Sequence, residues 1–349
     1  MSSNFPRRRQ GIRLSDRDLV KFNYLKNMEG YPLVISPGVD DLNLANWAIA
    51  QKELIERELL KHGAILFRGF NSETAEHFSQ VVNGLSNEVL EYKERAAARS
   101  QVAAKIYTST AYPADQPIAL HHEMSYSHSC PGKIWFYCRK PATKGGRTPI
   151  ADDRKVIKML SPTLKKRFLD KGVMYVKNYG EGLDLSWQEA FQTDDRQAVE
   201  RYCQEANMQC EWRNGGRLRT RAVRHVTVSH PKLGTTVWFN HAHMFHLSNL
   251  MPKIREGLLA QFTENDVPRN AFFGDGSAID DSIMEEVRET YNRAKVSFEW
   301  EQGDILLLDN ILSSHGREPF EGSRDILVAM TERLRLNTSG SVSELFVTE

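Results

Sequence analysis

Residues 118–125 read IALHHEMS, three apolar residues followed by His121, His122 and Glu123. In an extended chain, positions i and i+2 project to the same side. In a helix, at ~3.6 residues per turn, they diverge by about 200°. The spacing therefore predicts a strand or strand end that presents the His121 imidazole and the Glu123 carboxylate together. A further histidine, His315, closes the run DILLLDNILSS at 304–314. Two histidines and one carboxylate take one face of an octahedron and leave three positions open, the donor set of a mononuclear non-haem iron centre. The third donor has to come from another strand, so its distance in sequence is no obstacle. By itself H-x-E is weak: a chain with eleven histidines produces such tripeptides by chance, and the plain alternative is a hydrogen-bonded histidine beside a surface glutamate.

Working outward, residues 43–62 (NLANWAIAQKELIERELLKH) carry apolar residues at helical spacing, and Gly63 ends them. Residues 64–70 (AILFRGF) read as a short buried strand, 74–85 as a helix, and 88–104 as a charged, Ala-rich loop at the mouth of the site. Strands are expected at 105–109, at 133–138 (KIWFYC) and at 235–240 (TTVWFN), with a Gly145-Gly146 turn leading to Thr148. Helices are expected at 154–170, 195–206 and 279–294, and late strands at 296–300, 304–308 and 325–331. Many short strands with helices outside them predict a mainly β chain with flanking helices around a double-sheet jelly-roll core. The preferred parse is one domain over 1–349, with residues 1–30 loosely ordered and a catalytic core at about 60–335.

The chain has 349 residues, 46 basic and 45 acidic, for a net charge of +1. That balance argues against nucleic acid or an anionic membrane as partner. Cys130, Cys138, Cys203 and Cys210 form no C-x-x-C pair; scattered cysteines fit a reducing, cytoplasmic setting. No apolar run has signal or membrane-spanning length. The Arg7-Arg8-Arg9 run reads as a solvated tail.

The stretches 106–127 (IYTSTAYPADQPIALHHEMSYS), 133–154, 237–250 (VWFNHAHMFHLSNL), 268–279 and 303–330 together resemble the taurine dioxygenase-like and clavaminate synthase-like Fe(II)/2-oxoglutarate-dependent oxygenases. Within them the chain looks most similar to SyrP-like amino-acid hydroxylases of peptide-antibiotic biosynthesis. The resemblance implies a double-stranded β-helix, a jelly-roll variant, with iron at its open end. By match to the motif, His121, Glu123 and His315 are the iron ligands. Thr148 matches a threonine that hydrogen-bonds 2-oxoglutarate, and Arg324, nine residues after His315, matches the arginine that grips its distal carboxylate. The chemistry agrees: a buried dicarboxylate needs a counter-charge, and a planar guanidinium holds a carboxylate bidentately. Relatives commonly have H-N-E where this chain has H-H-E, and the side chain of His122 is expected to point away from its two neighbours. Relatives also carry Pro-Arg in the loop where this chain has Glu94-Arg95 followed by Ala96-Ala97-Ala98-Arg99, which leaves the substrate open.

The resemblance implies Fe(II), 2-oxoglutarate as co-substrate and O2, and an unactivated C–H as target. Related halogenases have a small residue in place of the carboxylate, so Glu123 argues against halogenation. Hydroxylation of an amino acid or amino-acid derivative, at the β-carbon, free or tethered to a carrier protein, is the expected outcome; desaturation, epoxidation or cyclisation share the same cofactors, and a zinc hydrolase is the reading from another class. Arg95 and Arg99 are candidates to meet an acidic carrier protein or a substrate carboxylate, with solvated surface the equal alternative. Tyr107, Ser109, His122, Trp238 and Asn240 are read as substrate-lining. His241, His243 and His246 cluster in FNHAHMFH, and are read as pocket or core residues rather than a second metal site. Asp309-Asn310 is read as orienting the turn before His315.

Overall fold

The computed structural model describes residues 19–25, 30–72, 74–91, 101–103, 106–108, 112–180, 185–336 and 342–344. The Arg7–Arg9 run, Glu94, Arg95, Arg99 and Ser109 lie outside the described residues.

Among those residues the chain is mainly β with flanking helices. The largest sheet has nine strands in the order Val20–Tyr24, Leu33–Pro37, Ala64–Phe67, Ile305–Asp309, Ser129–Lys140, Asp325–Leu336, Ile106–Thr108 and Gln101–Ala103, with Val342–Glu344 also paired to Asp325–Leu336. The KIWFYC run shows why this sheet forms. Ile134, Phe136 and Cys138 share one apolar cluster with Leu306, Leu308, Ile326 and Val328. Trp135 and Tyr137, on the other face, join Ile305, Leu307 and Leu327 beneath the helical residues Trp47, Ile55, Leu59 and Phe78. Both faces are covered, so the strand reads as continuously apolar instead of alternating.

A four-stranded antiparallel sheet, Gln209–Arg213, Arg217–Arg224, Val173–Tyr179 and Arg269–Phe273, is the second layer. Tyr175, Ala271 and Phe273 from it share a third core with Phe168, Trp238, Met284 and Tyr291. A three-stranded sheet, Ile118–His121, Ser313–Arg317 and Ile150–Asp152, carries the candidate site. No helix among the described residues is long and apolar enough to cross a membrane.

Several expected elements differ. The helix read over 43–62 is two helices, Leu44–Ala50 and Lys52–His62, broken at Gln51 with φ −112° and ψ 26°. That over 154–170 is split by Ser161-Pro162: the helices are Asp153–Met159 and Pro162–Lys171, because Pro162 has no N–H to carry the first helix onward and suits the first turn of a new one. Residues 296–300 are no strand; Val296 makes a lone bridge to Ile150 while Phe298 and Trp300 are buried as core. Within the segment read as loosely ordered, Val20–Tyr24 forms the edge strand.

Candidate active site

His121 is the last residue of the strand Ile118–His121, and Glu123 lies in the turn that follows. The same-side argument for a continuous strand therefore applies only to the first residue of the pair. Glu123 is aimed by the turn, where Met124 takes a left-handed conformation (φ 57°) uncommon for such a residue. His315 arrives from the neighbouring strand directly opposite His121 in the antiparallel register, so the two rings share one face, with centroids 4.5 Å apart. One ligand atom from each of His121, Glu123 and His315 lies within 4.8 Å of the others, and among the described residues this is the one cluster of three metal-ligand side chains. Nδ1 of His121 is 2.8 Å from the carbonyl of Ala119. Nδ1–H thus donates to backbone, which leaves the Nε2 lone pair for a metal. Two imidazoles and a carboxylate converging this closely fit a divalent first-row ion such as Fe(II).

What aims these donors is a buried polar frame around the intervening residue. His122 is fully buried, with Nδ1 2.7 Å from Asn310 O and Nε2 3.0 Å from Trp238 O. Its Nε2 is also 3.3 Å from Oδ1 of the fully buried Asp153. Burial pulls the His122 pKa down, but the Asp153 carboxylate and the two carbonyls outweigh it and leave it raised. Asp153 also accepts from Tyr291 OH at 3.0 Å and from the amide of Ser314, next to His315, at 2.8 Å. Asn310 receives the Glu123 amide on Oδ1 and donates through Nδ2 to Glu123 O and Pro131 O. Asp309 closes the turn by accepting from the amides of Ile311 and Leu312. The residues flanking the ligands are held to one another before any metal arrives.

Beside the cluster opens a cavity with about 420 Å³ of empty space, lined in part by His121, Phe136, Thr148, His315, Arg317 and Arg324. Thr148 and Arg324 are brought together by the Gly145-Gly146 turn. Both glycines have positive φ (69° and 70°). A Cβ on Gly145 would run into the carbonyl of Pro319, and one on Gly146 would stand 3.0 Å from Cδ of Arg324. That close approach lets Gly146 O accept from Arg324 Nε at 2.9 Å. Thr148 Oγ1 accepts from Trp300 Nε1 (3.1 Å) and Arg324 Nη2 (3.3 Å). A hydroxyl has two acceptor sites and one proton, so with both acceptors used the Thr148 proton is left to donate elsewhere. Neither Arg324 nor Arg317 has an ion-pair partner among the described residues. Burial first, then the charge of Arg317, pushes Arg324 down to about 10. A cationic cavity with a hydroxyl donor beside a three-donor metal cluster suits a small dicarboxylate; a zinc hydrolase has no use for it.

Among the described residues, the others expected to line the substrate site are buried among interior partners. His122 is locked into the frame just described. Trp238 is fully buried in the third core. Asn240, also fully buried, donates to Val226 O and accepts from Ala242 N, so it shapes its own turn. Tyr107 is buried in the same apolar cluster as Phe136 and Val328. In each case the alternation of the strand or the pull of a backbone partner turns the side chain into the interior. His241, His243 and His246 are buried. His241 lies 5.1 Å, ring to ring, from His121 and is kept well below its ordinary pKa by burial and then by His121. His243, on Leu120 O, is lowered to about 3 by burial. Sequence reading missed Asp153, for which no motif speaks. It also missed Arg317, whose i+2 spacing from His315 was the available signal.

The family described as taurine catabolism dioxygenase TauD, TfdA family matches residues 29–331. The dapdiamide synthesis protein DdaC of Enterobacter agglomerans is 43% identical over 278 residues, covering 80% of this chain and 84% of that protein. A clavaminate synthase-like protein of Arabidopsis thaliana is 28% identical over 327 residues, covering 86% and 93%. The crystal structure of PvcB from Pseudomonas aeruginosa matches with a TM-score of 0.53 at 15% identity over 92% of this chain and 94% of that one, a likeness of fold.

Proposed function

The chain belongs to the taurine catabolism dioxygenase TauD, TfdA family and is an Fe(II)- and 2-oxoglutarate-dependent oxygenase, and from that premise we propose that it hydroxylates an unactivated C–H, the β-carbon, of an amino acid or amino-acid derivative, free or carrier-protein-tethered, in specialised-metabolite biosynthesis. The observation that carries the reaction type is Glu123 within the cluster: a protein carboxylate holds the position that a halide would need. The relative named for dapdiamide synthesis supports the metabolic setting. We read the sheets as the walls of a double-stranded β-helix, and residues 1–349 as one oxygenase domain with its catalytic core at about 60–335.

When bound, iron with 2-oxoglutarate and O2 supplies the oxidising power for C–H cleavage. The chain's own residues do the placing. His121, Glu123 and His315 hold the metal by one face. Arg324 pairs with the distal carboxylate of the co-substrate, and the Thr148 hydroxyl donates its proton to the same group. Phe136, Ile326 and Val328 line that cavity with apolar surface and keep water from the co-substrate's middle. A reducing cytoplasm keeps the metal ferrous and the four cysteines, none of them in a disulfide, as thiols.

The test supplies the protein with Fe(II), 2-oxoglutarate and O2 and a panel of amino acids, free and loaded on a carrier protein. Succinate release coupled to a product heavier by about 16 mass units is expected, from insertion of one oxygen atom. A product lighter by about 2 units would assign desaturation or ring closure instead.

A further inference from the structure

Arg317 stands two residues beyond His315 on the same strand, so both side chains leave the strand on one side. The partner strand is bulged here, His315 facing His121 but Arg317 facing Ile118, and a bulge re-aims side chains. Gly316 between them permits the close approach: a Cβ there would lie 2.6 Å from Ile118 O. Arg317 is more than nine-tenths buried. Its Nη1 donates to Tyr112 O at 3.0 Å, and its Nη2 donates to Pro113 O and to Gln116 O at 2.8 Å. Its Nε is buried with no hydrogen-bond partner. The guanidinium sits 5.2 Å from the ring centroid of Phe320, whose ring also lies 5.7 Å from Arg324. Both arginines line the cavity that adjoins the metal cluster.

Three neutral carbonyls satisfy the fork of Arg317 without cancelling its charge. Asp115, in the same exposed segment, favours the Arg317 charge electrostatically but makes no ion pair with it. The cavity therefore holds two positive charges close enough for Arg317 to push Arg324 down, a repulsion that a bound anion would relieve. An orphaned buried donor is rare and costly in a native protein. A carboxylate accepts about four hydrogen bonds, so it can take one from a second arginine beside Thr148 and Arg324.

We propose that Arg317 is a second anion-binding arginine of the co-substrate cavity, whose Nε–H and charge, with Arg324 and Thr148, select a 2-oxo acid bearing a second carboxylate. The proposal rests on the placement of the distal carboxylate at Thr148 and Arg324 given above. It makes the segment Tyr112–Gln116, which leads into the metal-bearing strand, part of the same electrostatic unit.

The test is calorimetric titration of the full chain loaded with Mn(II), using 2-oxoglutarate and 2-oxovalerate, which has the same carbon chain without the distal carboxylate. Arg317→Gln is expected to weaken 2-oxoglutarate by about 10- to 100-fold and to change 2-oxovalerate by less than about threefold, with Mn(II) affinity unaltered. Equal losses for both ligands, or no loss for either, overturn the proposal, because Arg317 would then only tether Tyr112–Gln116. If the Gln variant does not fold, Arg317→Lys decides: it keeps the charge but not the Nε geometry, and a wild-type ratio of the two affinities overturns the proposal. A failure of the underlying placement is distinguishable, since it would appear as wild-type protein showing no preference between the two acids, or as Arg324→Met keeping the wild-type preference.

Discussion

Asn310 holds Glu123 by both ends of its peptide: Oδ1 accepts from Glu123 N at 2.8 Å, and Nδ2 donates to Glu123 O at 3.0 Å. A carboxylate in a turn, next to a left-handed Met124, would otherwise be free to swing. The clamp comes from the turn five residues before His315, so one side chain couples the second and last donors of the cluster.

Asn310→Leu removes the three buried hydrogen bonds that its side chain makes to the backbone of Glu123 and Pro131. We expect a loss on the order of 2–4 kcal/mol in stability, with Fe(II) affinity lowered by about 10- to 100-fold. Urea unfolding and an anaerobic Fe(II) titration read the two effects separately; unchanged affinity in a destabilised protein would show that the clamp serves the fold alone.

Asp153→Asn breaks a fully buried pair and strands the His122 ring. The expected cost is about 3–5 kcal/mol, whereas Tyr291→Phe, which deletes one of the hydrogen bonds to Asp153, should cost about 1 kcal/mol. Equal costs in chemical denaturation would mean that the His122–Asp153 contact carries no charge.

Gly146→Ala is strained twice, by φ of 70° and by a Cβ 3.0 Å from Arg324 Cδ. Displacing the guanidinium should raise KM for 2-oxoglutarate by roughly tenfold with a smaller change in kcat, since the loss is one of binding. Steady-state succinate release gives the split, and a kcat defect at unchanged KM would count against this seat for the co-substrate.

Acid should unfold the protein partly through its buried histidines. His243 titrates at about 3 when folded, against an ordinary 6.5, because burial penalises its charged form. Its contribution is fully present above pH 6.5; below that, the unfolded chain binds a proton that the folded one refuses. Stability then falls by about 1.4 kcal/mol per pH unit on this account until pH approaches 3. His241, lowered in the same direction, adds to the fall. Urea unfolding at pH 7, 6 and 5 should show a slope shallower by that amount in His243→Gln; an identical slope would remove His243 from the account.

The candidate donors were legible as residue types, an imidazole and a carboxylate two residues apart and a histidine closing an apolar strand, but the pair is weak alone and needed the motifs spread over 106–330 to be singled out. The buried strand KIWFYC and the Gly145-Gly146 turn were legible through side-chain character and backbone freedom. The breaks at Gln51 and Pro162 show the limit of that reading, since apolar periodicity persists across a kink that the cap residues impose.

Sequence by itself offered the candidate donors and the mainly β architecture through residue type and short-range spacing, while Arg324 was singled out only by the resemblance to a family. Tertiary structure alone decided which side chains face the cavity. His122, Trp238 and Asn240 sit in or beside the same motifs, yet each turns inward to the core or to backbone partners. Arg317 and Asp153 matter because of carbonyls, amides and rings brought from far along the chain. Burial and hydrogen-bond satisfaction are properties of the assembled interior, so no window of sequence contains them.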